Sequence, residues 1–231
     1  MNGCSSRRQI NSNALGVKSV RFNNPASMNR IIPLHALVFL VTASLAQTTP
    51  DACEDCELLF EGMPANPGPS ARIAGTDEVG ESLRIEGVIY QPDGKTPAPG
   101  IILYVYQTDH TGRYTPGPNQ IHARRHGHLR GWAQSDERGR YAIQTIRPAS
   151  YPNSKNPQHI HPIIFEPTAN RYYWIDEFLF DDDPLLSREE KNRQPQRGGG
   201  GILTLKKGER GGWTGRRDII LGKNIPNYSK P

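Results

Sequence analysis

Cysteine is scarce in this chain, with three among 231 residues, and one of them, Cys4, lies in the N-terminal leader. That leaves Cys53 and Cys56, a Cys-Glu-Asp-Cys pair. No βαβ pattern follows it, which argues against a thiol catalyst, and no second pair of zinc ligands stands nearby. A small structural disulfide is the expectation. A long hydrophobic run is lacking too: Ile31 to Leu45 is apolar but interrupted by Pro33, His35, Thr42 and Ser44, short of the ~20 residues that a membrane span needs. Excess charge is also missing where a nucleic acid would need it. Of the 28 basic residues, five (Arg7, Arg8, Lys18, Arg21, Arg30) sit in the first 46 positions with no acidic residue, so the remaining 23 are balanced by the 23 acidic ones. A basic nucleic-acid face is not supported.

What the leader does carry is the pattern of an export signal. Ser44-Leu45-Ala46 places small residues where a signal peptidase reads, so cleavage is expected after Ala46. Met28 by itself would begin a conventional signal, which would make residues 1–27 an upstream extension, and the sequence leaves the start open between Met1 and Met28. The chain then divides into a leader with signal peptide (1–46), an extended arm containing the CxxC pair (47–71) and one domain (72–231). The mature protein is expected to be secreted or periplasmic, without a stable membrane span. Within the arm, the apolar patch Leu58 to Phe60 is suited to pinning it to the body.

From Arg72 onward, short apolar or aromatic runs alternate with turn signals. They cover 83–90, 100–107, 129–134, 141–146, 159–165, 172–178, 202–205 and 213–221. This spacing predicts an all-β fold, an antiparallel β-sandwich with long loops and at most one or two short helices. One helix is expected near Asp181-Asp182-Asp183-Pro184 and Ser187-Arg188-Glu189-Glu190, the Asp triplet opening it or Ser187 and Glu190 forming a capping box. Gly198 to Gly201 is a flexible loop, since no Lys-Ser/Thr pair follows to make a phosphate cradle.

Four residues carry chemistry. His159 and His161 are two apart, so on a strand both rings leave the same face and can converge on one ion. Tyr151 lies one short loop upstream, and Tyr114 follows the turn after the run ending at Tyr106. Phenolate is a hard anionic donor, and its pairing with imidazole favours ferric iron over zinc or copper. Other aromatics and histidines have plainer readings. Tyr141, in a second Gly-Arg-Tyr phrase, is expected in the sheet core, as are Trp174, Phe178 and Phe180. His110 is expected to be exposed. His122, His126 and His128 resemble a second metal site or an anion patch, and are read as a loop lining the mouth of the pocket.

The phrases Gly87-Val-Ile-Tyr90, Thr111-Gly-Arg-Tyr114, Ser135-Asp-Glu-Arg-Gly-Arg-Tyr141, Ile146-Arg-Pro-Ala-Ser-Tyr-Pro152 and His159-Ile-His161 resemble, in order and spacing, the intradiol ring-cleavage dioxygenases. The resemblance covers roughly 72–180, and the tail is similar to that of the family's secreted or periplasmic branch. It implies non-heme ferric iron, Fe(III), held by Tyr114, Tyr151, His159 and His161. It also implies a small aromatic diol and O2 as substrates and a muconate-type dicarboxylic acid as product. Tyr151 would be the ligand that leaves to act as base while Tyr114 stays bound, making these two the catalytic tyrosines. A homo-oligomer is compatible with the family's habits. One position departs: the family's arginine three residues before the first histidine is Asn156 here. Arg130, Arg147 and Lys155 are near in sequence and suited to an anionic group, with no role assigned. The competing reading is a non-catalytic, transthyretin-like β-sandwich module that binds carbohydrate, peptide or protein.

Overall fold

In Ser82–Tyr90, apolar Leu83, Ile85 and Ile89 alternate with more polar neighbours, and the alternation drives this nine-residue segment into a strand with one face buried. The same logic repeats along the chain. A computed structural model describes residues 55–208 and 211–229, so the leader and Cys53 lie outside the described residues. Its strands are β1 (Ser70–Arg72), β2 (Ser82–Tyr90), β3 (Ile102–Gln107), β4 (Arg130–Gln134), β5 (Arg140–Ile146), β6 (His159–Glu166), β7 (Arg171–Trp174), β8 (Phe178–Phe180), β9 (Ile202–Leu203), β10 (Lys206–Lys207), β11 (Trp213–Arg216) and β12 (Ile219–Ile220). One α-helix, α1 (Arg188–Arg193), joins them. None of the described helices is long and apolar enough to cross a membrane.

The strands form two sheets of a β-sandwich. One has the order β1-β5-β2-β11-β10 with β12 also on β2, and the other β4-β3-β6-β8-β9 with β7 also on β6. The long ladders, β2 on β5 and β3 on both β4 and β6, are antiparallel as the sequence implied. Four short pairings depart from it: β1 on β5, β11 on β2, β12 on β2 and β8 on β9 are parallel. The expected strand over 172–178 is two strands, because 175–177 leave the ladder before β8 pairs again with β6.

Between the sheets lies the main core, with Leu83, Ile85 and Ile89 of β2 facing Leu103, Val105, Ile160, Ile164, Phe178 and Phe180. Tyr141 belongs to it, 2% exposed, and donates its hydroxyl to the Arg217 carbonyl at 2.8 Å. That carbonyl reaches so close to β2 that a Cβ on Gly87 would lie 1.7 Å from it. The Gly87 phrase and the second Gly-Arg-Tyr phrase thus serve one packing contact. Replacing Tyr141 by Phe is expected to cost about 1 kcal/mol in denaturant unfolding, the net worth of one buried hydrogen bond.

The outer face of the second sheet is covered as well, and this positions the site. Ile102 and Tyr104 of β3 and Ile163 and Phe165 of β6 form a second cluster with Cys56 and Leu59 of the arm. Here the arm makes a short 3-10 turn, Cys56–Phe60. Trp132 donates to the Leu59 carbonyl at 2.7 Å, Arg130 donates to the carbonyls of Leu58 and Glu61, and Phe60 packs edge-on against Phe165 and Tyr172. The Leu58 to Phe60 patch does pin the arm. Cys56 is disulfide-bonded, and Cys53, the partner expected from sequence, is not among the described residues. On the same face of β6, towards its start, stand His159 and His161.

The helix begins at the second of its two expected registers. Ser187 accepts from the Glu190 amide while Glu190 accepts from the Ser187 amide, a capping box. The Asp triplet does not open it. Asp181 accepts from Thr204, Asp182 pairs with Arg147, and Asp183 accepts from the amides of Gln158 and Leu185.

Candidate metal centre

His159 and His161 emerge on one face of β6, as period two dictates. His161 lies opposite Tyr106 of β3, and their rings stack at 4.6 Å. Tyr114 is delivered by the loop after β3, which Asp109 organises. One carboxylate oxygen of this buried residue accepts from the Thr111 amide and hydroxyl and the Arg113 amide, and the other from the Thr115 hydroxyl. Burial opposes the Asp109 charge, yet these hydrogen bonds hold its pKa below the usual carboxylate value. Tyr151 comes from the loop after β5. The two loops touch at Gly112, which has φ +77° and lies so close to the Ser150 carbonyl that a Cβ would be 2.0 Å from it. Only glycine permits that approach.

The result is a convergence of four donor atoms. The Tyr114 and Tyr151 hydroxyls are 2.6 Å apart. His159 Nε2 lies 2.9 Å from the Tyr151 hydroxyl, and His161 Nε2 lies 2.8 Å from Tyr114 and 3.4 Å from Tyr151. All four residues singled out in the sequence meet here. The far side of each imidazole is held: His159 Nδ1 faces the Pro157 carbonyl at 2.7 Å and His161 Nδ1 faces Glu177 at 3.2 Å. Both partners are acceptors, so each Nδ1 carries the proton and each Nε2 turns a bare lone pair into the site.

This set fits a hard, oxidised cation. Donors at about 2.0–2.2 Å from a common centre stand roughly 3 Å apart, and the Tyr114, His159 and His161 donors stand 2.6, 2.9 and 3.4 Å from the Tyr151 hydroxyl. The phenols make the point more sharply. Burial first, then the neighbouring Tyr151, push Tyr114 far above the ordinary phenol pKa. Burial also raises Tyr151, against the hydrogen bond from Tyr114. Phenolates in this pocket therefore need a cation to exist near neutral pH, and ferric iron is the match for two hard oxygens and two imidazoles. Burial, and then its neighbour His161, hold His159 below the usual imidazole value, which keeps its lone pair free.

His159, His161 and Glu177 also group as metal-capable side chains, but Glu177 reaches the Nδ1 edge of His161, opposite the converging donors. It stands behind one of the candidate ligands. Burial works against its charge, while the hydrogen bond from His161 brings its pKa below the usual value. Such a partner typically contributes about 10–100-fold to metal affinity, so Glu177→Ala is expected to weaken iron retention by that factor in a chelator competition.

A family model described as "Dioxygenase" matches residues 60–193, more than half of the chain. The chain belongs to the intradiol dioxygenase family. Three solved structures share its fold. The dioxygenase domain of a dioxygenase carbohydrate-binding protein fusion from Streptomyces sp. SirexAA-E is 19% identical over 69% of this chain and 91% of that one, with TM-score 0.52. The 3-chlorocatechol 1,2-dioxygenase of Rhodococcus opacus 1CP is 19% identical over 68% of each chain, with TM-score 0.51. The catechol 1,2-dioxygenase of Acinetobacter sp. ADP1 is 21% identical, with TM-score 0.53, and the match covers 73% of this chain and 62% of that one.

Several residues of this intradiol dioxygenase take places that its sequence did not foretell. Asp109 was readable in principle, since an Asp two residues before a Thr in a glycine-bearing loop signals a side-chain-capped turn. Glu177 and Tyr106 had no local signal, because their roles depend on strand pairing. His126 does not line the mouth of the pocket. It is 2% exposed, stacks on Tyr106 at 3.7 Å and faces the Tyr104 hydroxyl through Nδ1 at 2.8 Å. His128 bridges Glu78 and the Thr115 carbonyl, whereas His110 and His122 are exposed. Trp174 is half-buried rather than in the core, its ring covered by the Arg197 guanidinium at 3.3 Å, while Phe178 and Phe180 are fully buried. Arg130 and Arg147 are committed elsewhere, to the arm carbonyls and to Gln158 and Asp182.

Proposed function

We propose that this chain is a secreted or periplasmic non-heme ferric dioxygenase. It cleaves a catechol-type ring between its two hydroxylated carbons with O2 and yields a muconate-type dicarboxylic acid. The observation that carries this reading is the convergence of one phenol oxygen and two imidazole nitrogens on the Tyr151 hydroxyl, each within 3.4 Å of it. Ferric iron would be held there by Tyr114, Tyr151, His159 and His161, and would supply Lewis acidity toward the hydroxyls of a chelating catechol and toward its reaction with dioxygen.

The protein's own residues divide the remaining work. Tyr151, His159 and His161 border an open cavity of about 410 Å³, so a catechol arriving there meets Tyr151 first. Tyr114 does not line that cavity. Both phenols are half-buried, and the one that borders the cavity, Tyr151, is therefore the one placed to accept a substrate proton at its oxygen, while Tyr114 is the one placed to stay. Burial raises the Tyr151 pKa, so its phenolate, freed in this pocket, would be a strong base. His159 is anchored by Pro157 and His161 by Glu177, so the imidazoles hold their orientation during the exchange. No observation favours the binding-module reading, which gives no reason for these four side chains to meet.

The test is the visible absorption of the iron-loaded protein, before and after anaerobic addition of catechol, followed by oxygen. The expected result is a broad tyrosinate-to-iron band that shifts with catechol, then oxygen uptake with formation of the dicarboxylic acid. Stoichiometric iron with no such band would overturn the reading.

A further inference from the structure

The cavity in front of the site has a second lobe. The first, about 410 Å³, is bordered by Tyr151, Asn156, His159 and Glu190, and the second, about 390 Å³, by Tyr106, Ile163, Trp174 and Pro195. His161, Glu177 and Gln194 border both, so the lobes meet along a ridge beside the metal centre. Each alone falls in the size range of a small-molecule site. A single catechol ring at the donors needs only the first.

Apart from the candidate ligands, the charged side chains bordering the two lobes are carboxylates: Glu177, Glu190 and Asp176. Glu177 spends one carboxylate oxygen on His161, and its other oxygen makes no hydrogen bond among the described residues. Gln194 donates its amide nitrogen to the Glu190 carbonyl, which leaves its amide oxygen to the cavity. Glu190 uses one oxygen on Ser187 and keeps the other. Tyr106 has His126 on one face of its ring and His161 on the other, so it meets the second lobe with its edge. Between these stand the apolar walls of Ile163, Pro195 and Trp174.

Resting on the proposed function, we infer that the preferred substrates are extended catechols whose side chain carries a cation. The ring lies in the first lobe, and the chain crosses the Glu177–Gln194 ridge into the second. A carboxylate at the same place would face two glutamates and an amide oxygen, so anionic catechols are disfavoured.

The experiment compares four compounds on the iron-loaded protein: catechol, ethylcatechol, aminoethylcatechol and the catechol bearing a propionate chain. Dissociation constants come from anaerobic calorimetry and kcat/KM from oxygen uptake. The aminoethyl compound is expected to bind tighter than ethylcatechol and to exceed the propionate by on the order of tenfold in both measures. Gln194→Arg, which sets a cation on the ridge, is expected to shrink that ratio several-fold. A propionate that matches or exceeds the amine, or a ratio unmoved by Gln194→Arg, would overturn the inference while leaving ring cleavage intact. Failure of plain catechol to bind or react would instead remove the proposed function, and this inference with it.

Discussion

Replacing His159 and His161 together by alanine is expected to abolish iron retention. The iron-to-protein ratio after gel filtration should fall from near one to background, and the visible band should vanish. The reason lies in how the four donors are charged. The imidazoles offer lone pairs at no protonic cost, because Pro157 and Glu177 fix their Nδ1 protons on the far side. The phenols must each lose a proton that burial holds tightly. Without the imidazoles, a cation would have to be bound by the two costly donors alone. Loss of one outer partner already costs about 10–100-fold, and loss of two direct ligands exceeds that by a wide margin. The sandwich itself should persist, since the core between the sheets uses Ile160, Phe178 and Leu103 but neither histidine. Unchanged far-ultraviolet circular dichroism with iron lost is the expected pair of results. Full iron retention in the double variant would sink the assigned ligand set.

These four donors were legible before any coordinates because each sits in a short phrase whose spacing encodes its geometry. Two histidines two apart on a strand must share a face, and tyrosines after turn residues must lie in loops at a strand end. The alternation in β2 likewise shows its buried face locally. What stayed hidden depends on which strand lies beside which. Glu177 is a glutamate after an aromatic run until β8 pairs with β6 and carries it behind His161. The parallel edge pairings of β1, β9, β11 and β12 involve segments of two to four residues, too short for periodicity to declare a partner. The Asp triplet misled because acidic residues before a helix are good cap chemistry, whereas here tertiary partners, Arg147 above all, claim them. His126 misled for the opposite reason. Its neighbours Arg124 and Arg125 are exposed, and nothing in Arg-Arg-His-Gly-His announces that the third residue turns inward.

That inward turn makes His126 an acid-sensitive element. Arg130 donates from Nε to the Tyr104 oxygen at 2.7 Å, so Tyr104 donates its own proton to His126 Nδ1. Nδ1 is thus an acceptor and the ring proton sits on Nε2, a buried atom with no hydrogen-bond partner. Protonating Nδ1 would break the bond from Tyr104 and place a charge in an apolar stack beside Arg130. Burial, then the positive charge of Arg130, depress the pKa from 6.5 to about 3. A depressed pKa means that the unfolded chain binds the proton first. The stabilisation is therefore complete above pH 6.5 and is lost as pH falls from there toward 3. The whole window is worth roughly 5 kcal/mol, and the accessible part down to about pH 4.5 roughly 2–3 kcal/mol. His126→Phe keeps a flat ring on Tyr106 but removes both the acceptor and the titration. At pH 7 the variant should be less stable than the parent by about 1 kcal/mol, the worth of the lost hydrogen bond. As pH falls its stability should decline less, so that urea-unfolding free energies measured across the window cross near pH 5–6. The comparison cancels the carboxylates that also titrate in acid, such as Asp109 and Asp182, because they are present in both proteins. Parallel curves with no crossing would mean that His126 is charged or solvated in the folded protein, and that the stack against Tyr106 and His161 is not what holds it neutral.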